Sequence, residues 1–244
     1  PREDLKQFLE DCDELGIKGL SVTIPHKEEV LPLLTKADSS VQGIGAANTI
    51  VFREGEREGY NTDYRAAMDS LKRVALERAV GDISTDKPFA DKVVLILGAG
   101  GVSKALAYGC KRRGGEVVIA SRSLPRAEDL ASRVQGRALD WELRHSVKAD
   151  ILINGTPIGM HPNVDETPYE RRHLRPSMIV FDTVYNPENT LLIKEARQQG
   201  ATVITGVDMF VGQAALQFKL FTGEDAPLEV MRQEMKRAIG PAKY

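Results

Sequence analysis

The turn Gly98-Ala99-Gly100-Gly101 has the glycine spacing of a loop that binds the pyrophosphate of a dinucleotide. It follows the apolar segment Lys92–Leu97, which is typical of a strand buried in a parallel sheet, and it precedes a predicted helix that begins at Val102. The first glycine permits a tight turn, the second lets the backbone approach the pyrophosphate, and the positive end of the helix attracts the anion. Ser103 stands at the third fingerprint position, where glycine is usual. Because strand, turn and helix agree, we interpret this turn as a dinucleotide-binding loop rather than as a purely structural one.

The segment after the next predicted strand indicates which dinucleotide is bound. An NAD-binding protein tends to place Asp or Glu there, where the carboxylate bonds the ribose 2′-hydroxyl. This chain has Ser121-Arg122-Ser123 instead, followed by Arg126. Guanidinium groups match phosphate oxygens, so the segment favours the 2′-phosphate of NADP over NAD.

Three polar residues of the first third of the chain lie at predicted junctions between strands and helices. Lys27 follows Pro25, Asn48 lies among small residues, and Asp63 opens a predicted helix. Taken singly, each is typical of a surface or capping residue. Taken together, they predict a site on the edge of a small domain that faces the cofactor.

Strands alternating with helices predict a doubly wound parallel sheet in the second half of the chain. The predicted segments are strand Lys92–Leu97, helix Val102–Arg113, strand Glu116–Ala120, helix Pro125–Val134, strands Ile151–Ile153 and Met178–Phe181, helix Leu191–Gln199 and strand Thr202–Ile204. Two further helices, Met209–Phe221 and Leu228–Ile239, have no strand after them, so we expect them to pack back onto the first domain.

The first part of the chain predicts a smaller α/β unit. Its predicted segments are helix Arg2–Leu15, strand Ile17–Ile24, helix Glu28–Leu34, a hairpin of Ala47–Arg53 with Arg57–Tyr60, and helix Thr62–Leu76. Glycine, serine and proline mark a linker between Glu77 and Asp91. We therefore expect a Rossmann domain that binds NADP over residues 79–207, and a substrate-binding, catalytic domain from residues 1–78 and 208–244.

The composition excludes several other classes of protein. The 244 residues contain 33 Lys+Arg against 35 Asp+Glu, so no basic excess exists to hold nucleic acid or an anionic membrane. No apolar run approaches the roughly 20 residues of a membrane helix. Cys12 and Cys110 show no paired spacing and the histidines lack ligand spacing, so we expect no disulfide scaffold, no metal site and a cytoplasmic location.

Across nearly its whole length the sequence resembles the shikimate dehydrogenases. The motifs that carry the resemblance are Ser21–Lys27, Gly45–Thr49, Gly59–Asp63, Gly98–Gly101 with Ala105, Asn154–Met160, Asp182–Pro187, and Gly206–Met209 with Gln213. The segment Ser121-Arg122-Ser123 through Arg126 departs from the usual Asn-Arg-Thr start of the family but keeps both arginines, so NADP remains favoured. The resemblance implies NADPH-dependent, reversible reduction of 3-dehydroshikimate to shikimate, a step of the shikimate pathway of aromatic amino-acid biosynthesis.

The resemblance also implies roles for individual residues. Lys27 and Asp63 would be catalytic, and either of them could move the proton. The residues implied to bind substrate are Thr23, Lys27, Asn48, Asp63, Tyr185 and Gln213. Those implied to bind NADP are the turn from Gly98 to Val102, then Ser121, Arg122, Ser123, Arg126, Thr156, Gly206 and Met209.

Two alternatives and one departure remain at this stage. The alternatives are a quinate or quinate/shikimate dehydrogenase, which Arg122 disfavours, and a binding or regulatory module with an inactive site. The departure is that the family carries a strand, a helix and a strand ahead of the position of Pro1, with two serines that hold the substrate carboxylate. We therefore expect an N-terminally truncated chain, with a fused dehydroquinate dehydratase–shikimate dehydrogenase as one origin, that binds its small-molecule substrate poorly on its own. The sequence does not indicate an oligomeric state.

Overall fold

The computed structural model describes residues 1, 3–23, 25–78 and 84–239, which form two lobes around two sheets. The first, which we call the small lobe, contains α1 (Leu5–Glu14), β1 (Gly19–Ser21), β2 (Lys36–Ala37), α2 (Ser39–Ile44), β3 (Thr49–Arg53), β4 (Glu56–Tyr60) and α3 (Thr62–Glu77). Its sheet has the order β1-β3-β4-β2, in which β2 runs parallel to β4 and the other pairs are antiparallel. The predicted hairpin is therefore confirmed as β3–β4.

The second lobe, which we call the large lobe, is an alternation of strands and helices. In chain order it contains β5 (Val93–Leu97), α4 (Gly101–Arg112), β6 (Glu116–Ser121), α5 (Leu124–Val134), β7 (Arg137–Asp140), β8 (Ile151–Asn154), β9 (Ile179–Asp182), α6 (Leu191–Gln198) and β10 (Thr202–Ile204). All pairs are parallel, in the order β10-β9-β8-β5-β6-β7. The strand order reverses between β5 and β8, and ligands of doubly wound sheets bind beyond the carboxyl ends of the strands at this point. The predicted fold class is confirmed.

The large sheet is buried on both faces, which explains the unbroken apolar runs in its central strands. Val94, Leu95, Ile96 and Leu97 of β5 are fully buried. Val94 and Ile96 pack with α3 and α4 on one face, while Leu95 and Leu97 pack with α6 on the other. The sheet therefore has the rigidity needed to hold the loops at its carboxyl edge.

Two C-terminal helices, α7 (Gly206–Thr222) and α8 (Leu228–Ile239), complete the described chain. Gly212 of α7 crosses α3 so closely that a Cβ there would lie 3.2 Å from the Cβ of Ala66. Gln217, also on α7, donates a hydrogen bond of 3.1 Å to the carbonyl of Asn48 in the small lobe. The expectation that α7 packs back onto the first part of the chain is confirmed, and α7 brings the two lobes together at one edge.

Several local predictions differ from the structure. The helix predicted over Glu28–Leu34 is wrong, because the segment holds only a 3₁₀ helix at Leu31–Leu33. Pro32 lies within it and has no N–H to bond the carbonyl four residues earlier. Strand β7 and the short elements β2 and α2 were not predicted. Parts of the predicted segments lie outside the described part of the chain, namely Arg2, Ile24, residues 79–83 of the linker and residues 240–244.

Candidate active site

A cleft of about 500 Å³ opens between the lobes and the start of α7. Of the residues predicted from the sequence, the cleft is lined by Thr23, Lys27, Asn48, Asp63, Val102, Tyr185, Gly206, Met209 and Gln213. These come from the segment after β1, the residue before β3, the helices α3 and α4, the segment after β9, and α7, which are far apart in the sequence. The structure thus brings all of the substrate-binding candidates into one cavity.

Lys27 and Asp63 form an ion pair at the small-lobe wall of this cleft. The Nζ of Lys27 lies 2.6 Å from Oδ2 of Asp63, and their side chains are only 25% and 17% exposed. Asp63 is free to make this pair because Asn61, not Asp63, caps α3 by accepting a hydrogen bond from the N–H of Tyr64. A charged donor and a carboxylate therefore face the cleft in direct contact, partly shielded from water.

Asn48 is buried beneath the cleft and is held by the start of α3. Its Oδ1 accepts hydrogen bonds from the N–H of Thr62 (2.7 Å) and from the hydroxyl of Thr49 (2.9 Å). Its Nδ2 donates one hydrogen to the hydroxyl of Thr62 at 2.9 Å. An amide nitrogen carries two hydrogens, so the second is available to a ligand in the cleft. These bonds fix the side-chain orientation before any ligand arrives.

The cleft also contains polar residues that the sequence reasoning missed. Gln217 lies one helical turn after Gln213 on α7, and its Nε2 donates to the hydroxyl of Thr49 at 2.9 Å. Its Oε1 accepts from the hydroxyl of Ser21 at 3.0 Å. The hydroxyl of Ser21 donates its only hydrogen to Gln217, so its oxygen can still accept a hydrogen bond at the cleft wall. The four-residue spacing of the two glutamines was the signal that could have found Gln217.

Aromatic side chains border the cleft on the large-lobe side. The rings of Tyr185 and Phe210 lie 5.1 Å apart at an angle of 43°, and both are partly exposed. Phe210 was not predicted as a site residue. Beside it Gly206 opens α7, and a Cβ at Gly206 would lie 2.2 Å from the carbonyl oxygen of Val184. Only glycine lets α7 begin this close to the segment after β9.

The glycine turn has the local geometry that a pyrophosphate site needs. Gly98 has a φ of +98°, and a Cβ on it would lie 3.0 Å from Cγ2 of Thr156. A Cβ on Gly100 or Gly101 would meet no atom within 4 Å, so these two positions border open space. The first glycine is therefore required by backbone conformation and packing, and the next two leave room for a ligand beside the N-terminus of α4.

Thr156 helps to hold the glycine turn from the neighbouring strand. Its hydroxyl donates to Oδ1 of Asn154 at 2.7 Å, and Nδ2 of Asn154 donates to Oδ1 of Asp182 at 2.9 Å. Asp182 also accepts from the hydroxyl of Thr190 at 2.7 Å and from the N–H of Val184 at 3.0 Å. Burial raises the pKa of Asp182 to about 6. The hydrogen bonds from Thr190, Val184 and Asn154 act in the opposite direction but do not cancel the effect of burial. The network joins the ends of β8 and β9 beneath the cleft.

The predicted 2′-phosphate residues follow the carboxyl end of β6. Ser121 is nearly buried, and its hydroxyl accepts from the N–H of Ser123 at 3.2 Å, which shapes the turn that carries Arg122. Arg122 and Arg126 are exposed, and neither makes an ion pair within the described residues. Of these two guanidinium groups, that of Arg126 borders the space over the glycine turn, and groups without an ion pair are suited to a phosphate.

A second cavity of about 420 Å³ lies over the glycine turn. It is lined by Glu28, Ala99, Gly100, Gly101, Lys104, Arg126, Asp129 and Leu130. Lys104, in the first turns of α4, makes an ion pair of 2.7 Å with Glu28 of the small lobe. Glu28 and Lys104 are a further pair that the sequence reasoning missed, because their contact depends on how the lobes meet.

The described part of the chain offers neither a membrane-spanning helix nor a cluster of metal ligands. Within residues 1, 3–23, 25–78 and 84–239, no helix is both long and apolar enough to cross a membrane. The same residues contain no group of three or more His, Cys, Asp or Glu side chains placed to hold a metal ion.

Family models match three parts of the chain. The model described as shikimate dehydrogenase substrate binding domain matches residues 1–50, and that of the shikimate 5′-dehydrogenase C-terminal domain matches residues 206–236. A model described as NADP oxidoreductase, coenzyme F420-dependent, matches residues 92–184. The first two cover segments that contribute Lys27, Asn48 and Gln213 to the cleft.

Known proteins resemble the chain over almost all of its length. The shikimate dehydrogenase (NADP(+)) of Methanopyrus kandleri is 41% identical, over 96% of this chain and 81% of that protein. The bifunctional chloroplastic 3-dehydroquinate dehydratase/shikimate dehydrogenase of Arabidopsis thaliana is also 41% identical, over 96% of this chain but only 40% of that protein. The structure of the Thermus thermophilus shikimate 5-dehydrogenase with NADP(H) and shikimate superposes with a TM-score of 0.81, at 31% identity, over 98% of this chain and 85% of that one.

Proposed function

Because the chain belongs to the family of NADP-dependent shikimate dehydrogenases, which are oxidoreductases, we propose that the cleft between its lobes interconverts 3-dehydroshikimate and shikimate. The observation that carries this proposal is the Lys27–Asp63 pair, 2.6 Å apart, on a cavity that the cofactor lobe also borders. The small molecules bound by the Thermus thermophilus relative are those that this cleft would take.

NADPH would be held by the glycine turn and by the arginines that follow β6. The open space beside Gly100 and Gly101 fits a pyrophosphate, and Arg122 and Arg126 fit the 2′-phosphate that distinguishes NADP from NAD. When bound, NADPH supplies a hydride to the carbonyl carbon of the substrate. Gly206 and Met209 border the cleft where the large lobe and α7 meet, and this position suits contact with the nicotinamide.

Lys27 and Asp63 would handle the charge and the proton of the reduced oxygen. A carbonyl that accepts a hydride becomes an alkoxide, which needs a hydrogen-bond donor and then a proton. The Lys27 ammonium can donate to that oxygen, while the Asp63 carboxylate holds the ammonium in place. In the reverse direction the same pair accepts the proton from the hydroxyl.

The remaining cleft residues would position the ring of the substrate. The second Nδ2 hydrogen of Asn48, the hydroxyl of Thr23 and the amide of Gln213 can bond its hydroxyl groups, while Tyr185 lines the cleft mouth. A site that hydrogen-bonds hydroxyl groups discriminates against molecules that lack them, because its buried polar groups are then unpaired.

The proposed catalytic pair lies in the small lobe and the glycine turn lies in the large lobe, which supports the domain limits predicted from the sequence. We propose a substrate-binding, catalytic domain of residues 1–78 and 208–244 and an NADP-binding domain of residues 79–207. The thiols of Cys12 and Cys110 are both buried and unpaired, which supports a reducing, cytoplasmic location.

The test follows NADPH absorbance with shikimate and NADP, for the wild type and for Lys27→Ala. We expect turnover to fall by at least about 100-fold in the variant, the scale of one positioned proton-transfer group. NADP affinity, measured by calorimetry, should stay within a factor of two, because Lys27 lies on the substrate side. Quinate with NAD is the comparison substrate pair. Equal turnover of wild type and variant, or turnover with quinate and NAD alone, would contradict the proposal.

A further inference from the structure

We propose that Glu28 and Lys104 form a latch between the lobes that positions Lys27 for the reaction. The inference rests on the proposed function, since it concerns how the catalytic lysine is held against the cofactor lobe. Glu28 and Lys104 are positioning residues, because neither lines the cleft that holds Lys27 and Asp63.

The segment that carries Lys27 has little regular structure of its own. Residues 25–30 form turns rather than a helix or a strand. Their backbone is tied to the rest of the small lobe by a hydrogen bond of 2.8 Å from the N–H of Ala47 to the carbonyl of Lys27. The other backbone hydrogen bonds of the segment are local, such as that from the N–H of Val30 to the carbonyl of His26 at 3.0 Å, so its position against the large lobe depends on side chains.

Adjacent side chains in this segment are anchored to opposite sides of the interface. Lys27 pairs with Asp63 of the small lobe at 2.6 Å, and Glu28 pairs with Lys104 of the large lobe at 2.7 Å. Because the two residues are neighbours in the chain, a shift of Glu28 moves the backbone of Lys27 with it. The second ion pair therefore sets the distance between Lys27 and the helix whose N-terminus faces the proposed pyrophosphate site.

The helix that carries Lys104, α4, also makes apolar contacts with the small lobe. Ile44 and Ala46 of the small lobe pack against Ala105 and Tyr108 of α4. A Cβ on Gly43 would lie 2.4 Å from the ring of Tyr108, so α2 sits directly on this helix. The ion pair adds a polar contact at the cofactor side of this apolar one.

The energy of such a pair sets the size of the effect. Lys104 is 23% exposed and Glu28 is 58% exposed, so water screens the pair in part. An exposed ion pair is worth at most roughly 1 kcal/mol, which is about a fivefold change in an equilibrium. Loss of the latch should therefore change a rate or an opening equilibrium by about two- to fivefold, and not abolish activity.

The experiment compares Glu28→Gln, Lys104→Met and the double variant, with Lys104→Arg as the conservative replacement. The matched control is Arg73→Gln, which breaks the exposed Arg73–Glu77 pair within α3. The first readout is kcat/KM for shikimate at low salt. We expect each single variant to lose about two- to fivefold and the double variant to lose no more than either single one. Lys104→Arg should recover most of the loss seen in Lys104→Met, and Arg73→Gln should match the wild type.

The second readout needs no turnover, so it stands even if the proposed function fails. It is amide hydrogen exchange of the segment 25–34, measured without substrate. We expect Lys104→Met, a change in the other lobe, to speed exchange of this segment by about two- to fivefold, while Arg73→Gln leaves it unchanged. If Lys104→Met leaves exchange at the wild-type rate, no latch acts on Lys27. If Lys104→Met weakens NADP binding while Glu28→Gln tightens it, Lys104 is a phosphate ligand and the latch is overturned.

Discussion

Replacing Gly101 by alanine should separate folding from cofactor binding. A Cβ at this first residue of α4 would meet no atom within 4 Å, so the folded protein can accommodate it. Alanine is favoured over glycine in a helix by up to about 1 kcal/mol, which corresponds to a rise of about 2–4 °C in Tm for a chain of this size. The open space is the space that we assign to the pyrophosphate, so the same methyl group should obstruct NADP.

The expected loss of affinity follows from the bonds that the methyl group would break. Hydrogen bonds to charged groups are worth about 1.5–3 kcal/mol, so displacing the pyrophosphate from one backbone N–H should weaken NADP binding by about 10- to 150-fold. Binding would be measured by calorimetry and stability by thermal unfolding of the same samples.

The matched control for Gly101→Ala is Gly206→Ala. A Cβ at Gly206 would lie 2.2 Å from the carbonyl oxygen of Val184, so the backbone must shift. We expect this variant to lose about 1–3 kcal/mol of stability, as overpacked sites do. The reasoning is refuted if Gly101→Ala binds NADP as tightly as the wild type, or if it unfolds at a lower temperature than Gly206→Ala.

Three further predictions concern the phosphate site, a buried acid and a buried amide. Arg122→Gln should lower kcat/KM with NADP by about 10- to 150-fold, through loss of a charged hydrogen bond, and leave the value with NAD within a factor of two. Burial raises the pKa of Asp182 from 3.8 to about 6, so its folded form binds protons more tightly than its unfolded form and stability falls as the pH rises through this window. Chemical denaturation at pH 4 and pH 7 would give the free energy of unfolding of the wild type and of Asp182→Asn. The value of the variant relative to that of the wild type should be higher at pH 7 than at pH 4 by up to about 3 kcal/mol. A difference between the two proteins that does not change with pH would refute this. Gln217→Leu removes the three hydrogen bonds that Gln217 makes with Asn48, Thr49 and Ser21. The free energy of unfolding, measured by denaturant titration, should fall by about 1–3 kcal/mol. An unchanged midpoint would show that these bonds contribute nothing to stability.

The large lobe could be predicted almost strand by strand because its signals are local. Val93–Leu97 is apolar throughout, and the glycine turn after it leads directly into α4. The sequence predicts that α7 begins at Met209, whereas the helix begins three residues earlier, at Gly206. The capping box between Thr205 and Asp208 begins the helix earlier than its apolar pattern indicates.

The small lobe was harder to predict because much of it is held by contacts between distant residues. Strand β2 is two residues long and exists through its pairing with β4, so it leaves no periodic pattern in the sequence. The turns at Glu28 are likewise held to the rest of the protein by pairs of distant residues, Ala47 with Lys27 and Lys104 with Glu28. Local propensity carries no information about such pairs.

The motifs predicted which residues would meet, but not how each would be held. The cleft collects Lys27, Asp63, Asn48 and Gln213 as the motifs indicate. That Asn48 is locked by Thr62 depends on the register of β3 against β4 and α3, which spacing cannot give. The ion pair of Glu28 with Lys104 depends on the angle between the lobes, and the sequence carries no signal of it.

The central claim, that Lys27 and Asp63 face a substrate held against the cofactor lobe, is tested most directly by a crystal structure with shikimate and NADPH. Both compounds are reduced, so the complex cannot react. We predict that the substrate oxygen nearest the nicotinamide lies within about 3.2 Å of Lys27 Nζ, with the 2′-phosphate against Arg122. A shikimate bound with that oxygen away from both Lys27 and Asp63 would contradict the account.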